Sequence, residues 1–148
     1  MGYYLDFIFD EPGITHEDVM KRFMDQGATI IEEMYHDKTL TGNLKKFYET
    51  HVPMEYDKPG LYIPIFDVSK KESETQKGCW AYVRLSWATD PDRFLETLKG
   101  LMTLADSVGC KVYDGQIKEF LNQDTIKKAL VSFFGGAAWV VGNIGQTK

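Results

Sequence analysis

The sequence predicts an α+β fold: a four-stranded, mainly antiparallel sheet with two principal helices on one face and an added helix near the C-terminal end. Residues 79–87 alternate with period two, placing Cys79, Ala81, Val83, Leu85 and Trp87 on one side of a strand and Trp80, Tyr82, Arg84 and Ser86 on the other. Phe94, Leu98, Leu101, Ala105 and Val108 then recur at steps of four and three, widened by Leu95 and Met102 into one apolar helix face. Residues 110–114 follow as a short strand. Strand, helix and strand thus succeed one another within the length of a single crossover unit, right-handed and parallel by default.

The remaining elements follow in order. Residues 3–9 alternate Tyr3, Leu5, Phe7 and Phe9 against Tyr4, Asp6 and Ile8 as a first strand, and Glu11, Pro12 and Gly13 turn the chain. Thr15 is placed to cap a helix in a capping box with Asp18, with Ile14 stapled onto Val19 and Gly27 as its stop. Residues 28–35 fit a second strand, although Ile30, Ile31 and Met34 also fit a helical step. Leu40, Leu44, Phe47 and Tyr48 predict a short helix or ordered excursion over 39–51, and 52–60 is read as a connection. Residues 61–68 are strand-like, with Pro64 requiring an edge position or a bulge because it has no amide to donate.

Residues 69–77, polar throughout, make an exposed hairpin loop. Asp90 caps the second principal helix with Pro91 at its first position, and Gly109 sits where a left-handed cap is wanted. Asp114 and Gly115 signal a turn. Asn122 or Asp124 caps a last helix carrying Ile126, Leu130 and Phe133 or Phe134, and Gly135 and Gly136 end it. The tail 137–145 is apolar enough to need a partner, either the sheet or a second subunit in a homodimer.

This order of elements resembles the split β-α-β, or ferredoxin-like, architecture over residues 3–115. The runs Asp90-Pro-Asp-Arg-Phe, Leu104-Ala-Asp-Ser-Val-Gly and Val112-Tyr-Asp-Gly-Gln are similar to those of small bacterial proteins of the immunity or antitoxin kind. That resemblance implies a non-enzymatic protein whose partner is another protein, such as a toxin.

With 148 residues, 43% of them hydrophobic, the chain is expected to be one domain with a single core. A net charge of −5 disfavours a nonspecific binder of nucleic-acid backbone. Cys79 and Cys110 both fall in strands and read as buried apolar residues, not as a disulfide framework. No basic segment precedes an apolar run at the N-terminus, Gly2 lacks the pattern of a myristoylation signal, and no stretch approaches a membrane span, so a reduced, cytoplasmic setting is expected.

Catalytic signatures are sparse. Glu33 and His36 have the Glu-x-x-His spacing of di-iron bundles, but that chemistry needs a second copy on a facing helix and none is present. His16 and His51 stand apart, no Cys-x-x-Cys exists, and no nucleophile elbow occurs, so neither a metal, a cofactor nor a catalytic residue is assigned. The distributed feature is a sheet face: with the helices on one side, Tyr4, Asp6, Tyr62, Phe66, Trp80, Tyr82, Arg84 and Tyr113 point to the other. Aromatic rings and arginine are the composition of protein-interface hot spots, so Tyr4, Asp6, Trp80, Tyr82, Arg84 and Tyr113 are the candidate partner-binding residues, with the exposed acidic loops as the other surface for a partner. Two alternatives stand beside this reading: residues 117–145 fold back and bury the face, or a small-molecule pocket forms against the 36–60 excursion from Tyr35, His36, Tyr48, Trp87, Tyr113 and Asp114.

Overall fold

A computed structural model of the chain describes residues 2–86 and 90–136. Among the described residues the order is β1 (Gly2–Ile8), α1 (His16–Asp25), β2 (Thr29–Ile30), α2 (Glu32–Tyr35), α3 (Gly42–Thr50), β3 (His51–Lys58), β4 (Leu61–Ser69), β5 (Cys79–Ser86), α4 (Pro91–Val108), β6 (Lys111–Asp114), β7 (Glu119–Phe120) and α5 (Ile126–Gly136). The strands form one sheet in the order β2-β3-β4-β5-β1-β6-β7, antiparallel at every pairing. The α+β class is as expected, but the sheet has seven strands where four were expected.

The extra strands have physical reasons for escaping notice. β3 occupies the segment read as a connection; its Pro53, Tyr56 and charged end obscure the buried Val52 and Met54. β7 is two residues long, too short for any periodicity. Only Thr29 and Ile30 of the expected second strand are extended, and Glu32–Tyr35 is a single helical turn.

The end signals behave as their chemistry requires. Thr15 Oγ1 accepts from the Asp18 amide while the Asp18 carboxylate accepts from the Thr15 amide. Asp90 accepts from the Arg93 amide at 2.9 Å, Pro91 opens α4, and Gly109 ends it at φ 78°, a conformation that costs glycine least. β1 lies between β5 and β6 and runs opposite to both, so β5 and β6 are parallel and α4 connects them.

One side of the sheet holds the core. Tyr3, Leu5 and Phe7 of β1, Phe66 and Val68 of β4, and Ala81 and Val83 of β5 are buried against Val19 and Phe23 of α1 and the apolar face of α4. α5 joins this same layer: Phe133 stacks on Phe94 with ring centres 3.9 Å apart and meets Tyr3 edge-on at 5.6 Å. The expectation that residues 117–145 bury the opposite face therefore fails for α5, and residues 137–145 lie outside the described residues. Cys79 and Cys110 are free and buried, and burial pushes both thiols up to about 12. No helix among the described residues is long and apolar enough to cross a membrane.

Pro64 explains one misplaced side chain. β4 pairs with β3 through Ile63 opposite Tyr56 and Phe66 opposite Met54, so three steps on β4 face two on β3 and a bulge sits at residues 64–65. The bulge breaks the alternation. Tyr62 points out at 58% exposure, but Phe66, expected on the same face, turns into the core and packs on Phe7 and Phe23.

Candidate functional site

The outer face is assembled by register. Asp67 lies opposite Tyr82, Tyr82 opposite Asp6, Asp6 opposite Tyr113 and Tyr113 opposite Phe120, a continuous row across five strands. One pleat along, Arg84 lies opposite Tyr4, and the Tyr4 and Tyr82 rings are 6.3 Å apart. Tyr4, Asp6, Tyr82, Arg84 and Tyr113 are thus brought together on one face. Trp80 is diverted: Ile8 pairs with Cys79 and Phe7 with Ala81, which leaves Trp80 at a bulge, half-buried and lining a separate cleft of about 770 Å³ with Phe9 and Phe120.

α3 partly roofs this face. Phe47 stacks flat on His51, ring centres 4.1 Å apart, and both stand edge-on to Tyr82 at 6.5 and 6.1 Å. Burial holds the His51 imidazole below its ordinary pKa, with the Phe47 carbonyl acting weakly the other way, so it is neutral at physiological pH.

Beside the roof the sheet opens. β4 and β5 pair only through residues 66–68 and 81–83. Beyond Phe66 and Val83 the ladder stops, at the bulge that contains Pro64, which has no amide to donate. A cleft of about 670 Å³ occupies this parting. Tyr48 of α3, Tyr62 and Asp67 of β4, and Tyr82 and Arg84 of β5 line it, with Tyr4 beside them, and it reaches Arg93 and Thr97 near the start of α4. Leu44, Tyr62, Tyr4 and Ile65 stand at its rim, 39–58% exposed.

Asp67 is the unusual group. Its Oδ1 is sealed from water without a hydrogen-bond partner, and burial pushes the carboxyl up to about 6. Burial, and then this carboxylate, raise the Tyr82 and Tyr48 hydroxyls, so both stay protonated. Asp6, beyond Tyr82, is also raised: burial dominates, a hydrogen bond with Cys79 works against it, and Asp114 adds to it.

The residues of the alternative pocket are not gathered. Tyr35 and His36 belong to α2 beside β3, where Lys70 approaches the Tyr35 ring at 5.2 Å and His36 meets Glu32 at 2.9 Å. Asp114 is fully buried on β6, four strands from β3, about 19 Å at ordinary strand spacing. There it accepts the Tyr3 hydroxyl and, through Oδ1, the Gln116 amide. Trp87 lies outside the described residues. Among the described residues no three His, Cys, Asp or Glu side chains stand close enough to share a metal ion. His16 pairs with Glu17, apart from the other two histidines.

Sequence reasoning missed Asp67, Arg93 and Thr97. A signal for Asp67 existed, because a charge between Phe66 and Val68 in a strand must face away from them. Its depth depended on α3, which no strand pattern reveals. No family model, curated protein or solved structure matches this chain.

Proposed function

We propose that this chain is a binding protein, non-enzymatic, that engages a protein partner through the outer face of its sheet. The observation that carries the reading is the clustering of Tyr4, Leu44, Tyr62 and Ile65 around one cleft that also holds Arg84 and Tyr82. Exposed large apolar side chains gathered in one place mark interaction surfaces, and tyrosine with arginine is the composition of their energetic centres. A narrower form of the reading is a bacterial, cytoplasmic protein of the immunity or antitoxin kind with a toxin as partner, supported by the three sequence runs that resemble that group. A ferredoxin-like architecture goes with it, supported by the order of the inner strands β4-β5-β1-β6, with α1 following β1 and α4 following β5, the order expected of two interlocked split β-α-β units.

The test is affinity capture from the source cell with the native chain and with a Tyr4→Ala, Tyr62→Ala double variant. Both rings are exposed, so the variant keeps its fold. The native chain is expected to retain a stoichiometric protein that the double variant loses by at least tenfold. Equal retention by the two chains, or none by the native chain, overturns the reading.

A further inference from the structure

Three charged side chains share the cleft between β4 and β5, and none has an ion-pair partner among the described residues. Four Lys or Arg side chains meet acids among the described residues, Arg22 with Glu11, Lys21 with Asp25, Lys71 with Glu74 and Lys128 with Glu119, all away from this cleft. Asp67, Arg84 and Arg93 instead line one cavity without bonding to each other or to any other charge. The register explains the separation. Asp67 faces Tyr82, and Arg84 lies two residues further along β5, so the backbones at the two charges are about 8 Å apart, given ordinary strand rise and spacing. Arg93, near the start of α4, lines the same cleft.

The lining of the cleft therefore combines one carboxylate with two guanidinium groups. Tyr82, opposite Asp67 in the strand pairing, and Tyr48 line it as well, and tyrosine rings favour a cation. The arginines present planar forks that suit a carboxylate. We propose that this cleft binds an amino acid with a cationic side chain and a free α-carboxylate, the cation on Asp67 between the tyrosines and the carboxylate on Arg84 and Arg93. A lysine or arginine meets this pattern because it carries a cation and a carboxylate at the two ends of one flexible stem. Two sources share that chemistry, the free amino acid and a basic residue at the C-terminus of a partner chain. The inference rests on the outer face being a recognition surface and adds what it recognises.

Isothermal calorimetry and amide chemical shifts test it, with the full chain titrated by L-arginine, by L-lysine, by agmatine, which lacks the carboxylate, and by a short peptide ending in arginine. Saturable binding of L-arginine or L-lysine is expected, with shifts at Asp67, Tyr82 and Arg84. Asp67→Asn and Arg84→Gln are each expected to weaken it about tenfold or more. Agmatine is expected to bind more weakly and to be insensitive to Arg84→Gln. Arg84 is exposed, so its variant folds whatever Asp67→Asn does. Tighter binding of the peptide assigns the site to a chain end, and tighter binding of the free amino acid assigns it to a metabolite. Absence of saturable binding by the amino acids and the peptide, or binding unchanged in both variants, overturns the inference. If that happens while the Tyr4, Tyr62 variant still loses its partner, the binding face stands and only the cleft chemistry falls.

Discussion

Asp67 occupies an outward position on a strand whose neighbours Phe66 and Val68 are fully buried, and α3 closes over it. Its carboxyl is raised to about 6, above the unfolded value, so the folded state binds a proton that the unfolded chain gives up. With the folded value the higher one, stability from this group falls as pH rises from about 4 to about 6 and stays low above that. The groups around it are Tyr82 opposite it on β5, with Asp6 beyond, Tyr48 from α3, and Arg84 and Arg93 in the lining of the same cleft. Asp67→Asn is therefore expected to raise Tm at pH 8 by about 2–4 °C, as a gain of about 1 kcal/mol gives in a chain of this size, and to leave it unchanged at pH 4. Scanning calorimetry at the two pH values decides it; a variant less stable at pH 8 contradicts the account. Asp114 shows the limit of reading single residues. Its Asp-Gly turn is local and visible in the sequence, whereas its bond with Tyr3 spans 111 positions and is fixed only by the pairing of β1 with β6.

At the scale of elements, what was legible was local. The caps of α1 and α4, the apolar stripe of α4 and the alternation of β5 from Ala81 to Leu85 each depend on residues within a few positions of one another, and all four appear as expected. β4 was legible in part. Pro64 announced a bulge, but where the bulge re-aims the strand depends on which β3 residues lie opposite, and so Phe66 went to the wrong face in the sequence reading. The face itself was legible from β1 and β5 alone, while the cleft needed the partial pairing of β4 with β5, a property of two strands together. The cap of α4 gives the clearest quantitative expectation. Asp90 satisfies the Arg93 amide at an exposed helix start, so Asp90→Ala is expected to cost about 1 kcal/mol, read as a lower urea midpoint with an unchanged slope. Loss of less than about 0.3 kcal/mol would mean that Pro91 alone fixes the start.

Across the whole molecule, the sheet is broad but tapers. β1, fifth in the order of seven, is paired over seven residues with β5 and over three with β6, while among the described residues β2 and β7 close the two edges with two residues each. Edges that short offer little backbone to another sheet, a recognised protection against edge-to-edge association. The same taper sets local stability. Phe7 and Val83 are inaccessible, carry the core on one side and are flanked by strands on both edges, so exposing their amides requires the layer of α1, α4 and α5 to come away. Thr29 and Glu119 hang on single neighbours and can fray without disturbing that layer. Native-state hydrogen exchange is expected to place the β1 and β5 amides at the free energy of global unfolding and those of β2 and β7 several kcal/mol below it. Because α3 touches the sheet chiefly through β3, its amides belong with the weaker group, and the roof over Tyr82 opens without unfolding the core. Protection of α3 equal to that of β1 would show instead that the recognition face and the core unfold as one.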